Sequence, residues 1–208
     1  MRSLFHDALT VEPLDLGAAL LRGFARGETA ALEKEIERIA EAAPFRHMVT
    51  PGGFAMSVAM TNCGGRGWIT DRKGYRYSAV DPDNGKAWPA MPDMFRDLAR
   101  RAAEAAGFTA FAPDSCLINR YVPGAKMSLH QDKDETDFAA PIVSVSLGLQ
   151  GTFLWGGARR SDKPRRFRLE PGDVVACGGP SRLYFHGVDT VAQGDTPCRY
   201  NLTFRKTK

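Results

Sequence analysis

The chain has 208 residues, of which 43% are hydrophobic, 25% charged and 10% aromatic, with a formal net charge of +4. The length predicts one domain, and the composition is typical of a soluble globular protein. No apolar run approaches the ~18 residues that a bilayer-spanning helix needs, which excludes a helical membrane protein. The positive charge is compatible with a polyanionic partner but does not indicate one by itself.

The N-terminal segment contains no uninterrupted apolar core, because Asp7, Glu12 and Asp15 divide it. This argues against a signal peptide and favours a cytoplasmic protein. The four cysteines are dispersed and form no CxxC pair, so we expect buried free thiols rather than a zinc site or disulfides. They are Cys63, Cys116, Cys177 and Cys198.

Two amphipathic helices are predicted in the first half of the chain. Residues 28–43 place Leu32, Ile36, Ile39 and Ala43 on one helical face. Residues 48–90 are rich in glycine, methionine and aromatic residues without a sustained period, which indicates short strands and loops.

The second helix is predicted to begin at residues 92–93, where Asp93 can cap the free amides. It should run through Phe95, Leu98 and Ala102 and stop near Gly107. From residue 115 onwards the pattern changes to strands separated by turns rich in glycine and proline. Helices followed by many short strands predict an α+β protein with helices packed on an antiparallel sandwich or barrel. The clearest strands are 115–121, 142–149, 167–169, 174–177, 183–186 and 199–205.

Three side chains are candidates for a metal site. His130 and Asp132 are two residues apart, so in an extended segment both project to the same face. His186 follows 54 residues later at the end of an apolar run. Two imidazoles and one carboxylate suit divalent iron, manganese or zinc. On an octahedral iron they would leave three positions open for a chelating cosubstrate and oxygen.

The last strand alternates without a break and suggests an anion site. Arg199, Asn201 and Arg205 share one face, together with Thr203. Two arginines that flank an amide could hold a dicarboxylate through charge-assisted, bidentate hydrogen bonds. A solvated edge strand would alternate in the same way. Upstream, Asn119 and Tyr121 share a face of their own strand and could add neutral hydrogen bonds, although core packing would explain them equally well.

Four motifs stand out in the second half of the chain: N-R-Y-x-P-G at 119–124, H-Q-D-K-D-E at 130–135, S-R-L-Y-F-H-G at 181–187 and R-Y-N-L-T-F-R at 199–205. They resemble the AlkB family of Fe(II)/2-oxoglutarate-dependent dioxygenases. The resemblance implies a double-stranded β-helix (jelly-roll) core over about residues 115–208 and a nucleotide-recognition lid over about 45–90, within one domain of residues 1–208. It implies that His130, Asp132 and His186 bind Fe(II). It also implies that 2-oxoglutarate is held by Asn119, Tyr121, Arg199, Asn201 and Arg205.

The resemblance further implies an alkylated nucleic-acid base as substrate. Trp68, Tyr75 and Tyr77 are available for stacking, and the family pattern places the first two against the base, opposite the His130 ring. It places Asp134 at the exocyclic amine of the base and Arg160 at the substrate. The alternative interpretations are a solvated acidic turn over residues 133–135 and a solvated basic stretch over residues 159–168. Arg76 would assist from the lid.

The expected activity is oxidative removal of methyl groups from bases of the 1-methyladenine and 3-methylcytosine type. Fe(II) is the cofactor, 2-oxoglutarate and O2 are cosubstrates, and succinate, CO2 and formaldehyde are products. We expect a monomer without membrane association that acts on single- or double-stranded DNA. Alternatives are the same chemistry on RNA or protein, and a non-catalytic, cupin-like metal-binding module. The last does not explain why Arg199 and Arg205 share a face with Asn201.

Overall fold

Two antiparallel sheets enclose the centre of the molecule in the computed structural model, which describes residues 10–208. Within these residues there are fourteen strands, two α-helices and two short 3-10 helices, Arg26–Glu28 and Gly179–Ser181. The helices are α1 (Thr29–Ala42) and α2 (Asp93–Ala105). The strands are β1 (Thr10–Asp15), β2 (Ala18–Arg22), β3 (Arg46–Val49), β4 (Ala55–Gly64), β5 (Gly67–Asp71), β6 (Gly74–Ser78), β7 (Ser115–Tyr121), β8 (Met127–His130), β9 (Ile142–Gly148), β10 (Gly151–Trp155), β11 (Arg165–Leu169), β12 (Val174–Cys177), β13 (His186–Val188) and β14 (Arg199–Arg205).

The larger sheet has eight strands in the order β1-β2-β12-β9-β14-β7-β4-β3, and the smaller sheet has the order β11-β10-β13-β8. A separate hairpin pairs β5 with β6. Both helices pack on one face of the larger sheet, where the outward side chains of β14, Leu202 and Phe204, join their apolar stripes. The opposite face of the larger sheet looks toward the smaller sheet, so residues there are enclosed between two layers. This is the jelly-roll architecture that the resemblance implies.

The helix predictions are confirmed apart from one cap. Leu32, Ile36 and Ile39 of α1 are fully or almost fully buried, as the periodicity predicts. Helix α2 ends before Gly107, which has a φ of +89° and donates its amide to Glu104 O at 3.0 Å. The cap predicted for Asp93 is wrong. Asp93 is itself the first helical residue, one position too late to cap, and its carboxylate accepts a hydrogen bond from Arg96 at 2.5 Å.

Three predicted strands have the same bounds in the structure, namely Ser115–Tyr121, Val174–Cys177 and Arg199–Arg205. The strand predicted over residues 183–186 is wrong, because β13 begins only at His186. The 3-10 helix before it continues as a turn, in which the Tyr184 amide donates to Ser181 O at 3.0 Å. An apolar composition alone does not distinguish such a turn from a strand.

The segment predicted as short strands and loops contributes to two different parts of the fold. Strands β3 and β4 belong to the larger sheet, where β4 pairs with β7, whereas β5 and β6 form their own hairpin. The assignment of residues 45–90 as a lid therefore stays a prediction, and the hairpin is its separate part. The four cysteines are buried free thiols, as expected. Within residues 10–208, no helix is both long and apolar enough to cross a membrane.

Candidate metal centre and active site

A cavity of about 870 Å³ opens between the two sheets and the hairpin. It collects most of the site residues that the sequence predicts. The lining includes Asn119, Tyr121, His130, Asp132, His186, Arg199, Asn201 and Arg205, and also Trp68, Tyr75, Asp134 and Arg160. Residues from distant parts of the chain thus meet in one chamber.

The candidate metal ligands converge because β8 and β13 pair in the smaller sheet. In that pairing His186 lies directly opposite His130, and the two ring centroids are 4.5 Å apart. Asp132 follows just after β8. Its Oδ1 lies 3.7 Å from His130 Nε2 and its Oδ2 lies 3.7 Å from His186 Nε2. One ligand atom from each residue can be chosen so that all lie within 4.8 Å of one another.

The ring orientations favour metal binding through Nε2. His130 Nδ1 lies 2.9 Å from Ser128 O, and His186 Nδ1 lies 3.0 Å from Tyr184 O. A backbone carbonyl at Nδ1 fixes the tautomer in which Nε2 carries the lone pair. Desolvation in the cavity and the neighbouring His186 lower the pKa of His130 to about 4, so its imidazole is neutral at pH 7.

The Asp132 carboxylate is ionised despite its burial. Burial opposes the charge, but the guanidinium of Arg205 and the adjacent histidines hold the pKa of Asp132 well below its ordinary value. Two imidazoles and one carboxylate are the donor set of non-haem iron(II) sites with open positions. The residues present therefore fit an iron(II) ion.

Arg199 provides a strong sign of an anion site. Its side chain is only 1% exposed, and burial lowers its pKa. Nη2 donates to Ser146 Oγ at 2.9 Å, while Nε and Nη1 are buried without a hydrogen-bond partner among the described residues. Buried donors without a partner cost about 1–3 kcal/mol, more when charged. A carboxylate in the cavity would satisfy them.

The pairing of β14 with β7 brings further polar residues to this candidate anion site, which we call the anion cradle. Tyr121 lies opposite Arg199, and Asn119 lies opposite Asn201. The Asn119 side chain donates to Asn201 Oδ1 at 3.4 Å, while its own Oδ1 has no partner within residues 10–208. Asn201 donates its amide hydrogens to Ser144 Oγ at 2.7 Å and Val145 O at 3.1 Å. Its part is thus to order the wall of the cradle.

Arg205 lies between the anion cradle and the candidate metal ligands. Its Nη2 donates to Asp132 Oδ2 at 2.7 Å, and its Nε lies 3.3 Å from Glu135 Oε1. Nη1 is buried and has no partner within the described residues. One guanidinium therefore contacts the carboxylate of a candidate metal ligand and still offers a donor to a second anion. Its substitution would disturb both parts of the site.

The hairpin contributes aromatic side chains to the cavity. Trp68 lies opposite Tyr77 in the register, and both share a face with Tyr75. Trp68 and Tyr75 are stacked, with ring centroids 5.7 Å apart and an interplanar angle of 19°. Trp68 Nε1 donates to Asp134 Oδ2 at 2.7 Å, which holds this carboxylate at the cavity beside the indole. Two flat rings and one negative charge thus meet at the cavity.

Two predicted substrate residues do not line the cavity. Arg76 lies on the opposite face of the hairpin, because alternate residues of a strand point in opposite directions, and it pairs with Asp71 at 2.7 Å. Tyr77 faces the cavity side, but its hydroxyl donates to Glu135 at 2.5 Å. Arg160 does line the cavity, above the Phe185 ring at 5.9 Å.

The other arginines of the basic stretch have acidic partners close by. Arg159 pairs with Asp162, Arg165 with Asp15, Arg166 with Asp189 and Arg168 with Glu170. These pairs reduce the net positive charge of this surface.

Comparison with known proteins agrees with this geometry. The model of the 2OG-Fe(II) oxygenase superfamily matches residues 17–205. The alpha-ketoglutarate-dependent dioxygenase AlkB of Escherichia coli is 57% identical over 211 aligned residues, which cover 99% of this chain and 98% of the relative. This chain belongs to the AlkB family.

Other similar proteins are more distant in sequence. The tRNA demethylase abh1 of Schizosaccharomyces pombe is 35% identical over 141 residues, which cover 67% of this chain and 46% of that protein. The solved structure of OsALKBH1 matches with a TM-score of 0.82 at 30% identity, covering 95% of this chain and 100% of the other. As a family member the chain is an iron(II)- and 2-oxoglutarate-dependent dioxygenase.

Sequence reasoning missed two buried charged residues beside the AlkB-family site. Glu135 and Arg182 are 5% and 3% exposed and form an ion pair at 3.0 Å. The interpretation of residues 133–135 as a solvated acidic turn is wrong for Glu135. Both residues lie within the motifs at 130–135 and 181–187. Charged residues are mostly exposed in proteins, so the residue types alone did not indicate that these two are buried.

Proposed function

We propose that this protein demethylates N-alkylated bases of the 1-methyladenine and 3-methylcytosine type in DNA. One observation carries this proposal. Three candidate metal ligands, a buried guanidinium with unmet donors and a stacked aromatic pair line the same cavity. Such a chamber can hold a metal ion, a small diacid and a flat base next to one another.

His130, Asp132 and His186 would hold Fe(II), and the buried Arg199 would hold 2-oxoglutarate with help from Asn119, Tyr121, Asn201 and Arg205. When bound together with O2, these groups supply an oxidation that hydroxylates the alkyl carbon and converts 2-oxoglutarate to succinate and CO2. The protein orients the reactants and excludes water. The enclosed position between two sheets suits this task, because Arg199, Asn201 and Arg205 are all less than a tenth exposed.

Trp68 and Tyr75 would stack on the base, and the Asp134 carboxylate would stabilise its positive charge. A methyl group on the Watson–Crick nitrogen makes adenine or cytosine cationic and weakens its pairing, which lowers the cost of extruding it. Once hydroxylated, the alkyl carbon is bonded to both a hydroxyl and a good leaving nitrogen. The adduct therefore breaks down to formaldehyde and the normal base.

The domain division follows from these roles. We assign nucleotide recognition to the segment of residues 45–90, chiefly its hairpin, and iron and 2-oxoglutarate binding to the jelly-roll core of residues 115–208. Arg160, at the rim of the cavity, would contact the substrate. Arg76 and Tyr77 would act indirectly, by shaping the hairpin through Asp71 and Glu135.

The proposal is tested by incubating an oligonucleotide that contains 1-methyladenine with iron(II), ascorbate and 2-oxoglutarate. Mass spectrometry should show loss of one methylene together with released formaldehyde. The Asp132→Ala variant should lose turnover, because it lacks the anionic metal ligand. The matched control is Asp93→Ala, which removes a fully solvated carboxylate on α2 and should retain normal turnover. Full activity of Asp132→Ala would refute the proposed site.

The named activity of the tRNA demethylase relative favours RNA as a second candidate substrate. Competition between methylated DNA and methylated RNA oligonucleotides in one reaction decides between them. If neither oligonucleotide raises succinate production, the proposed lesion type is wrong and a different alkylated base is the substrate of this dioxygenase.

A further inference from the structure

The carboxylate of the candidate metal site lies on a segment without regular secondary structure. Strand β8 ends at His130 and β9 begins at Ile142, so Asp132 belongs to the connecting loop of residues 131–141. The two histidines, in contrast, are fixed by cross-strand pairing. Strand geometry alone therefore does not explain why Asp132 lies in register with them.

Arg182 supplies the missing constraint on this loop. Its guanidinium is buried and donates Nη1 to Asp132 O at 2.7 Å, Nη2 to Glu135 Oε2 at 3.0 Å and Nε to Ala140 O at 3.1 Å. All three bonds end on the same loop, near its start, its middle and its end. A planar fork with fixed donor directions is well suited to hold three acceptors in one arrangement.

Glu135 links this clamp to the metal carboxylate by a second route. Its Oε2 accepts from Arg182, and its Oε1 lies 3.3 Å from Arg205 Nε. Arg205 in turn donates to Asp132 Oδ2 at 2.7 Å. Asp132 is therefore held twice, at its backbone oxygen by Arg182 and at its carboxylate by Arg205. The four residues form a ring that closes through the Asp132 backbone oxygen, and their two positive and two negative charges balance.

We propose that Arg182 and Glu135 are positioning residues that hold Asp132 in place for metal binding. This inference rests on the proposed function of the site and adds two residues to it. Burying four charges is an inefficient way to stabilise a loop, since apolar packing of the same volume is often as stable or more so. The ring includes the carboxylate of Asp132, a candidate metal ligand, and the need to fix this carboxylate would explain why the four charges are buried together. Groups that orient metal ligands usually change metal affinity about 10–100-fold when they are removed.

The test compares Arg182→Gln, Arg182→Lys and Glu135→Gln with the unchanged protein. Cobalt(II) is titrated into each full-length protein in the presence of 2-oxoglutarate, and binding is followed by the visible absorption of the metal. Arg182→Gln should weaken cobalt(II) binding by about tenfold or more. Arg182→Lys should restore part of this loss, because it keeps the charge but reaches fewer acceptors. Glu135→Gln should lie between the unchanged protein and Arg182→Gln.

Amide hydrogen exchange measures the loop directly. Residues 131–141 should exchange faster in Arg182→Gln than in the unchanged protein, while β7 and β14 should keep their protection. The matched control is Arg100→Gln, which removes a half-exposed guanidinium on α2 and should change neither readout. If Arg182→Gln does not fold, Arg182→Lys and Glu135→Gln carry the test.

Unchanged cobalt(II) affinity in folded variants of Arg182 and Glu135 would overturn the proposal, even if their unfolding temperatures fall. Such a result would assign the ring a purely structural role. Failure of the proposed function has a different signature. In that case the unchanged protein itself would give no methylated-base turnover, whatever the variants do to cobalt(II) binding.

Discussion

At the scale of single residues, the burial of charge separates the candidate ligand groups from ordinary surface charges. Arg199 is 1% exposed and directs two nitrogen donors without partners among the described residues into the region between the sheets. An exposed arginine such as Arg168, on β11, has a 68% exposed side chain and lies within reach of Glu170. The first arrangement is costly unless an anion binds, whereas the second costs almost nothing.

From this difference in burial we predict that Arg199→Gln weakens the binding of 2-oxoglutarate. A hydrogen bond to a charged group contributes about 1.5–3 kcal/mol, so the KM for 2-oxoglutarate should rise about tenfold to a hundredfold. Affinity for a methylated oligonucleotide should change little, because Arg199 lies deep in the cavity wall. Succinate production at varied 2-oxoglutarate measures the first effect, and fluorescence anisotropy of a labelled oligonucleotide measures the second.

Arg168→Gln is the matched control, since it removes the same group from an exposed position. An unchanged KM in Arg199→Gln would remove Arg199 from the cosubstrate site. Arg205 is less suitable for this purpose. It contacts Asp132 as well as the cradle, so its substitution would mix metal and cosubstrate effects.

The residue pattern predicted which side chains share a face but not what each one contacts. Strict alternation in β14 sufficed to place Arg199, Asn201 and Arg205 together, because strand geometry allows no other arrangement. It could not predict that the side-chain amide of Asn201 donates hydrogen bonds to Ser144 and Val145. Hydrogen-bond partners depend on the neighbouring strands, and a single sequence does not specify these.

At the scale of secondary-structure elements, helix α2 supports the strand that carries both candidate anion-binding arginines. Phe95 of α2 is fully buried and contacts Phe204 of β14 edge to face, with ring centroids 5.9 Å apart. The helix thus covers the outer face of β14, while Arg199 and Arg205 occupy the inner face. The same strand therefore carries the packing contact on one face and the two arginines on the other.

Truncation at this contact should destabilise the whole domain. Phe95→Ala removes a buried aromatic ring and leaves a cavity, so the free energy of unfolding should fall by about 3–5 kcal/mol. Urea denaturation followed by circular dichroism gives this value. Arg100→Ala on the exposed side of the same helix should change it by less than about 0.5 kcal/mol. Equal effects of the two substitutions would show that the helix does not support the sheet as described.

Elements with local signals were predictable, and those defined by distant partners were less so. The two helices follow from their periodicity of apolar residues, and three strands follow from alternation and flanking turns. Strands β1 and β2 were not predicted. Strand β2 pairs with β12, which is more than 150 residues away, so a local pattern does not indicate this pairing. The hairpin was predicted only as part of a lid, because its face toward the cavity is set by contacts with the loop that carries Asp134.

At the scale of the whole molecule, the candidate ligands connect the two sheets. His130 and His186 belong to the smaller sheet, whereas Arg199 and Asn119 belong to the larger one. A metal ion and a diacid bound between them would therefore join both layers of the jelly roll. Ligand binding should stabilise the folded chain as a unit, because the unfolded chain brings none of these residues together.

Thermal unfolding in the presence of manganese(II) and 2-oxoglutarate tests this coupling. At a free concentration about 100 times its Kd, each ligand should stabilise the folded state by about 2.7 kcal/mol. For a domain of this size the gain corresponds to a rise of about 5–10 °C in Tm. Either ligand alone should give a smaller rise than both together, because each binding contribution adds to the stability. Asp132→Ala should lose the part that depends on manganese(II) and retain any part due to 2-oxoglutarate alone, and Arg199→Gln should show the reverse. Identical shifts in both variants and the unchanged protein would mean that the ligands bind outside this cavity.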